Sequence, residues 1–441
     1  MKVLKFGGTS VGSAQRMKDV AKLITDGEQK IVVLSAMSGT TNTLVEISDY
    51  LYKKNPEGAN EIINRLEAKY KQHIDELYST EEYKQKTLDF VKSVFDYIRS
   101  YTKDIFTLFE EKVILAQGEI ISTNMVTNYL CEQGVNATLI PALEYMRTDK
   151  NSEPDLTYIR EKLPAQLEAN PGYEIYITQG FICRNAYGEI DNLQRGGSDY
   201  TASLIGAAIN ASEIQIWTDI DGMHDNDPRV VDKTSPVRQL HFEEAAELAY
   251  FGAKILHPTC IQPAKYANIP VRLLNTMEPT APGTLISNDT EKGKIKAVAA
   301  KDNITAIKIK SSRMLLAHGF LRKVFEIFES YQTPIDMVCT SEVGVSISID
   351  NTKHLNEIVN DLKKYGTVTV DHDMCIVCVV GDLEWENVGF EAKALDAMRE
   401  IPVRMISFGG SNYNISFLIR ESDKKQALQS LSNVLFNGKE K

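Results

Sequence analysis

Up to Pro282-Gly283, short apolar runs alternate with longer segments of helical periodicity, and this alternation limits the fold more than any other feature. Residues 2–6 and 30–36 are apolar runs of strand length, whereas residues 14–25 and 113–130 repeat apolar side chains at helical spacing. Continuous apolar strands that alternate with helices are typical of a mainly parallel sheet covered on both faces. We therefore predict an α/β fold for this part of the chain.

Two local patterns refine that prediction. Residues 58–112 are rich in Glu, Lys, Leu and Tyr, and apolar positions such as Ile62 and Leu66 recur at helical spacing, which predicts a helical excursion. Thr43 with Glu46 three residues later predicts a helix that begins at Thr43 with a capping box.

A smaller pattern begins after Lys292-Gly293. Residues 304–370 and 374–435 each follow the order β-α-β-β-α-β, or nearly so, which predicts two ferredoxin-like modules. Tandem modules of this kind behind an α/β domain resemble ACT domains, which bind small amino acids. The expected division of the chain is a catalytic domain at 1–297, a first ACT-like module at 298–372 and a second ACT-like module at 373–441. Whether the two modules share strands stays open at this point.

Charge and composition exclude several classes of protein. The 441 residues carry a formal charge of -11, with 49 Lys+Arg against 60 Asp+Glu, and no basic run, which argues against binding to nucleic acid or to anionic membranes. The residues from Met1 to Gly8 lack the apolar stretch of a signal peptide, so we expect a cytoplasmic protein. Cys375 and Cys378 lie in an apolar run, which favours a buried strand over a zinc or redox site.

The first candidate site is Lys5-Phe6-Gly7-Gly8-Thr9-Ser10, at the end of the first predicted strand. Two glycines let backbone N–H groups approach an anion, and a lysine adds a positive charge for a phosphate. The spacing is not that of a Walker A loop. A tight turn with an exposed lysine is the alternative.

Two further loops combine polar side chains with a predicted helix start. Ser35–Asn42 follows a strand, where substrates bind in open α/β sheets, and its alternative is a simple helix cap. Arg195-Gly196-Gly197-Ser198-Asp199 follows Phe181 and offers a planar fork for a carboxylate next to a close backbone approach. We favour a functional role for this second loop over a cap.

Acidic and basic residues after the next strand fit a nucleotide site. Trp217-Thr218-Asp219 and Asp227-Pro228-Arg229 lack the spacing of an EF-hand, so carboxylates for ribose or magnesium-bound water and an arginine for phosphate are the better interpretation. Phe251-Gly252-Ala253-Lys254 ends a predicted helix, where a lysine usually complements the helix dipole.

Together, in this order, these segments closely resemble the aspartokinases of the amino-acid kinase family. The resemblance implies a three-layer α/β/α sandwich followed by two ACT domains, and transfer of the γ-phosphoryl group of ATP to the side-chain carboxylate of L-aspartate. It implies Mg²⁺ held mainly by the nucleotide phosphates, with no metal ligands from the protein. Because the acceptor carboxylate is already ionised near neutral pH, no strong general base is required.

The resemblance also implies roles for single residues. The catalytic residues are Lys5 and Asp199. The nucleotide contacts are Lys5, Gly7, Gly8, Ser10, Thr218, Asp219, Arg229 and Lys254. The substrate pocket is formed by Ser35, Thr41, Glu119, Phe181, Arg195 and Ser198, with Glu119 suited to the α-ammonium group and Arg195 to a carboxylate.

The tail resembles lysine-sensing ACT domains and implies feedback inhibition by lysine and a homodimer formed through the ACT region. The expected effector residues are Met314, Gly319, Phe320, Leu321, Asp336, Ser341 and Glu342. Asp336 and Glu342 offer negative charge for a cationic side chain, and Pro334 departs from the pattern by removing a backbone donor.

Two alternatives to this interpretation stay open at this point. One is another member of the amino-acid kinase family, and the other is a non-catalytic amino-acid sensor on a kinase scaffold. The sequence ends at Lys441 without a further enzyme domain, which predicts a monofunctional enzyme.

Overall fold

The computed structural model describes residues 1–103, 105–193, 196–252, 256–314 and 318–436. Its α-helices are α1 (Ala14–Ile24), α2 (Thr40–Tyr52), α3 (Pro56–Leu77), α4 (Glu81–Ser100), α5 (Leu108–Glu132), α6 (Leu156–Ala169), α7 (Gly197–Ile209), α8 (Phe242–Tyr250), α9 (Gln262–Tyr266), α10 (Phe320–Ser330), α11 (Leu355–Leu362), α12 (Phe390–Ala397) and α13 (Lys424–Leu435).

Its strands are β1 (Lys2–Phe6), β2 (Lys30–Leu34), β3 (Ala137–Leu139), β4 (Ile175–Gln179), β5 (Ile182–Arg184), β6 (Ile190–Asn192), β7 (Ile214–Thr218), β8 (Gln239–His241), β9 (Val271–Asn275), β10 (Thr284–Ser287), β11 (Ile295–Lys310), β12 (Met337–Ser341), β13 (Gly344–Ile349), β14 (Thr367–Gly381), β15 (Met405–Ser407) and β16 (Asn414–Arg420).

The chain divides into two compact units. The first contains residues 1–223 and 255–288, and the second contains residues 224–254 and 289–441. No helix in the described ranges is both long and apolar enough to cross a membrane.

The first unit is built on a mainly parallel sheet. Seven of its strands lie in the order β3-β4-β2-β1-β7-β9-β10, and every neighbouring pair is parallel except β9 with β10. β1 is central and its side chains from Val3 to Phe6 are buried, as expected for a parallel strand covered on both faces. The predicted helical excursion is confirmed as α3, α4 and the beginning of α5, which contribute Ile62, Leu66 and Tyr70 to the core.

The second unit contains an antiparallel sheet of six strands in the order β12-β13-β11-β14-β16-β15. β11 and β14 are long enough to serve both halves of this sheet, and their pairing shifts register between Lys301 and Ile304. One apolar core forms around Phe320, Val324 and Phe328 of α10, and a second forms around α12 and α13. The α/β fold with ferredoxin-like modules is therefore confirmed.

Cys375 and Cys378 are buried in β14, as expected for a strand. The predicted start of α2 is wrong. This helix begins at Thr40, and Gly39 occupies the N-cap in the left-handed region at φ 82°, so Thr43 lies inside the first turn and caps nothing.

Candidate active site

The carboxyl ends of parallel strands meet at one edge of a sheet, and the central strand of the first unit brings a lysine there. Lys5 is nearly buried near the end of β1, and its Nζ lies 2.7 Å from Oδ1 of Asp199 in the first turn of α7. Both side chains are largely shielded from water, which strengthens their attraction. The two residues predicted to be catalytic therefore form an ion pair.

The two glycines after β1 differ in what surrounds them. A Cβ on Gly8 would lie 2.8 Å from the carbonyl oxygen of Ala36, whereas a Cβ on Gly7 would meet nothing closer than Nζ of Lys5 at 3.5 Å. Gly8 accepts the N–H of Ser38, and Gly7 donates its N–H to Trp217. Gly8 is therefore the position at which the turn requires the absence of a side chain.

Ser10 is fully buried, and its hydroxyl forms a 2.7 Å hydrogen bond with the hydroxyl of Thr276. Thr276 follows β9, so this bond joins the turn after β1 to a strand two positions away in the sheet. Thr276 was not among the predicted residues, because an isolated threonine gives no signal in the sequence.

A cavity of about 350 Å³ lies beside the turn after β1. Ser35 follows β2 and its hydroxyl donates to Oγ of Ser198 at 2.9 Å, which joins the second and third predicted loops. The cavity is lined by Gly8, Ser35, Ala36, Met37, Ser38, Gly39, Thr41, Asn42, Glu119, Phe181, Gly197 and Ser198. Five of the predicted substrate residues, namely Ser35, Thr41, Glu119, Phe181 and Ser198, are thus brought together.

Glu119 supplies a buried carboxyl group to this cavity from the middle of α5. Its Oε1 accepts the N–H of Ala36 at 3.1 Å, and its Oε2 is buried without a hydrogen-bond partner in the described part of the chain. Burial raises the pKa of Glu119 to about 8, and the Ala36 hydrogen bond offsets only part of this effect. An unpaired buried acceptor of this kind suits a cationic group of a ligand.

Phe181 and the loop before α7 form a tight contact. Phe181 has a φ of 68°, which is unusual for a bulky residue, and its N–H donates to the Thr201 hydroxyl. A Cβ on Gly197 would lie 2.6 Å from the Phe181 ring, and Gly196 takes φ 77° as the N-cap of α7. The two glycines are therefore needed for this close approach and for the turn.

The predicted nucleotide residues after β7 are divided between the two units. In the first unit, Thr218 ends β7 and its hydroxyl bonds with Ile220, and Asp219 is exposed beside it. In the second unit, Arg229 is exposed and bonds to both carboxylate oxygens of Asp227 at 2.9 and 2.8 Å. Arg195 and Lys254 lie outside the described residues.

The predicted effector residues all belong to the second unit. Gly319 is the N-cap of α10 with φ 82°, Phe320 is buried, Leu321 is 37% exposed, and Met314 packs against the core around α10. Asp336 precedes β12, and the exposed residues Ser341 and Glu342 lie at its other end. At ~3.3 Å per residue, the length of β12 separates Asp336 from Glu342 by about 20 Å.

Asp336 has partners that sequence reasoning missed. Its Oδ1 accepts hydrogen bonds from Lys301 Nζ and from the Tyr250 hydroxyl, both at 2.7 Å. Neither Lys301 nor Tyr250 stands in a motif, and only the tertiary fold shows their proximity. Among the described residues, no group of three or more His, Cys, Asp or Glu side chains is arranged to hold a metal ion.

The carboxyl edge of the parallel α/β sheet carries a lysine–aspartate pair, a glycine turn and a polar cavity. Together with the ferredoxin-like modules that follow in the chain, this arrangement is typical of a small-molecule kinase with attached regulatory modules. Comparison with known proteins agrees. The model of the amino acid kinase family matches residues 1–275, and an ACT domain model matches residues 377–435.

Similar proteins are found over the whole chain. Aspartokinase 1, chloroplastic, of Arabidopsis thaliana is 35% identical over 98% of this chain and 80% of its own length. The lysine-sensitive aspartokinase 3 of Escherichia coli is 32% identical over 98% of this chain and 99% of its own. The crystal structure of E. coli aspartokinase III with aspartate and ADP, in the R-state, matches with a TM-score of 0.84 and 31% identity, covering 99% of this chain and all of that one. The chain therefore belongs to the amino acid kinase family and, within it, to the aspartokinases.

Proposed function

We propose that this protein transfers the γ-phosphoryl group of ATP to the side-chain carboxylate of L-aspartate and is inhibited by lysine. The products are 4-phospho-L-aspartate and ADP, and the reaction opens the biosynthesis of lysine, threonine and methionine. The single observation that carries the proposal is the buried Lys5–Asp199 ion pair beside the cavity that contains Glu119 and Ser198.

Lys5 would stabilise the charge that moves during transfer. Phosphoryl transfer depends on in-line positioning and on fixed positive charge more than on covalent chemistry. The Asp199 carboxylate, 2.7 Å away, holds the ammonium of Lys5 at the end of β1. Asp199 is therefore a positioning residue for Lys5.

The aspartate substrate fits the cavity by charge. The unpartnered Oε2 of Glu119 suits the α-ammonium group, and hydroxyls of Ser35, Thr41 and Ser198 suit the carboxylates. Phe181 would close one side of this pocket. Arg195, by resemblance, would pair with a carboxylate of the substrate.

ATP would approach the turn at Gly8, where the backbone is free of a side chain. By resemblance, Thr218, Asp219, Arg229 and Lys254 contact the nucleotide, together with Lys5, Gly7, Gly8 and Ser10. Mg²⁺ is proposed to arrive with the phosphates, whose charge it neutralises.

Regulation by lysine rests on the name of the E. coli relative and on the ACT domain match. The separation of Asp336 from Glu342 supports a homodimer in which a second copy completes the effector site. Val338 on β12 and Ile406 on β15, which are exposed on the two edge strands of the sheet, are suitable contacts. The divisions at 297 and 372 and the cytoplasmic location are likewise proposals.

The test is an assay of aspartate-dependent ATP consumption on the full chain. Lys5→Ala should lower kcat at least ~10²-fold because it removes a preorganised charge. Lys2→Ala is the matched control, since Lys2 lies on the same strand with an exposed ion pair to Glu28. An unchanged rate for Lys5→Ala in a folded protein would refute the proposal, and absence of turnover in the wild type would favour the sensor alternative.

Effector identity is tested by titration with lysine, threonine and methionine in the same assay. We expect lysine to be the main inhibitor. Inhibition by threonine with insensitivity to lysine would contradict this part of the proposal.

A further inference from the structure

A charged cluster in the second unit surrounds the carboxylate that the proposed effector site uses. Asp336 is only 1% exposed at its side chain, and its Oδ1 is bound by the ammonium of Lys301 at 2.7 Å. Lys301 also contacts Oδ2 of Asp350 at 2.9 Å. One ammonium and two carboxylates leave this cluster with a net charge of minus one.

Tyr250 covers the same cluster from the end of α8. Its hydroxyl donates to Oδ1 of Asp336 at 2.7 Å, and Lys301 Nζ lies 4.3 Å from the centre of its ring, a cation–π arrangement. Burial disfavours the ammonium of Lys301, but the two aspartates outweigh it and raise the pKa of Lys301. Lys301 is therefore charged at neutral pH.

The second oxygen of Asp336 is not used in this way. Oδ2 is buried, and no described residue donates a hydrogen bond to it. A buried acceptor without a partner is costly and suits a donor from outside the chain. Oδ1 of Asp336 therefore accepts hydrogen bonds from Lys301 and Tyr250, whereas Oδ2 accepts none from the described residues.

On the basis of the proposed function, the geometry points to Lys301 as a residue that sets affinity and specificity at the effector site. Its ammonium group is bound to Asp336, the carboxylate to which a cationic ligand would bind. Whichever oxygen the ligand ammonium takes, it meets the ammonium of Lys301 on the same carboxylate. The net charge of minus one still favours a cation, and the repulsion limits how tightly it binds.

The hydrogen bond from Tyr250 to Asp336 links this competition to the end of α8. Tyr250 ends α8, four residues before Lys254, which the resemblance assigns to the nucleotide. A ligand that draws Asp336 away from Tyr250 releases the end of α8. A ligand shifts an equilibrium only by binding its two states differently, and the Tyr250–Asp336 hydrogen bond is such a difference.

The experiment measures L-lysine binding to the full chain by calorimetry. Lys301→Met keeps the length of the side chain and removes its charge, so lysine should bind about tenfold more tightly. Lys301→Arg keeps the charge and should bind as the wild type does. Lys308→Met, an exposed lysine on the same strand, is the matched control and should leave binding unchanged.

L-norleucine, which keeps the α-ammonium group but lacks the ε-ammonium group of lysine, separates the effect of side-chain charge from the effect of space. Its binding should not tighten in Lys301→Met. Equal tightening of norleucine and lysine, or lysine binding that is unchanged or weaker in a folded Lys301→Met, overturns the inference.

Tyr250→Phe is a second variant that tests the inference even if Lys301→Met does not fold. It leaves the ring over Lys301 and removes one hydrogen bond to Asp336, so lysine should bind about twofold to threefold more tightly. Inhibition per bound lysine should fall, because the link to α8 is lost. Unaltered binding and inhibition in Tyr250→Phe would count against the inference.

The wild type distinguishes the two proposals. If it binds lysine and Lys301→Met binds no better, the inference fails and lysine regulation stands. If the wild type binds none and Lys301→Met does, the inference stands and lysine regulation of the natural protein fails. Absence of binding in both overturns both.

Discussion

The two units each contain a shielded lysine–aspartate pair with the same 2.7 Å separation, and the two pairs differ in what surrounds them. Lys5 and Asp199 have 11% and 15% of their side chains exposed and adjoin a turn and a cavity. Lys301 and Asp336 are 18% and 1% exposed, and a tyrosine hydroxyl and a second carboxylate complete their coordination.

The comparison shows that an ion pair has no function by itself. Shielding strengthens both pairs, but the charges that remain around them differ. In the proposed function, the lysine of the first unit is the group offered to a ligand, and its aspartate holds it in place. In the inference drawn for the second unit, the aspartate is the group offered, and the lysine competes for it.

The largest effect should come from removing the aspartate of each pair in turn. Asp199→Asn should lower kcat by ~10²-fold, because Lys5 loses the carboxylate that positions it. Asp336→Asn should instead abolish measurable lysine inhibition. Glu28→Gln, on the exposed Lys2–Glu28 pair, is the control. Loss of turnover and of lysine inhibition together in either variant would remove the distinction between the pairs.

The next effect concerns the backbone beside Lys5. Gly8→Ala places a Cβ 2.8 Å from the Ala36 carbonyl oxygen, so the turn must shift and kcat/KM should fall ~10-fold or more. Gly7→Ala meets only ordinary contacts and should cost less. Steady-state kinetics of both variants test this, and a larger loss in Gly7→Ala would contradict the proposed approach of ATP at Gly8.

The cavity beside the first pair should respond to pH through Glu119. Its pKa of about 8 lies above the ordinary 4.5, so the folded state holds a proton that the unfolded state releases. Stability is therefore full below about pH 4.5 and declines as the pH rises through about 8. Thermal melting should show the wild type losing several degrees between pH 6 and 8.5, and Glu119→Gln losing less.

Aspartate should change this pH dependence. An ammonium group beside Glu119 favours its ionised form, so aspartate should bind more tightly as the pH rises towards 8. The KM for aspartate in Glu119→Gln should be higher and nearly independent of pH in this range. Parallel pH profiles for both proteins would argue against contact between Glu119 and the ammonium group.

The smallest effect should come from a change at Asp350, the second carboxylate that contacts Lys301. The side chain of Asp350 is 40% exposed, so its bond to Lys301 is partly screened by water. Asp350→Asn removes the net negative charge of the cluster and should weaken lysine binding about twofold to threefold. Calorimetry tests this, and tighter binding would contradict the charge argument.

Much of the first site could be predicted from the sequence because its residues stand in contiguous motifs at strand ends. Lys5 and Asp199 are 194 positions apart, yet the alternation of strands and helices places both at one edge of the sheet. The start of α2 was mispredicted because Gly39 adopts a left-handed conformation that replaces the side-chain cap expected at Thr43.

The sequence determined the α/β and ferredoxin-like architecture through its periodicity and the family through the resemblance of its motifs, because periodicity and motifs are local properties of the chain. The resemblance also implied five proposed substrate residues that line the cavity. Only the tertiary structure decided the partners: Thr276 for Ser10, and Lys301 with Tyr250 for Asp336. Each of these contacts joins residues far apart in the chain, and its strength depends on burial. Neither the contact nor the burial can be predicted from any short segment of the sequence.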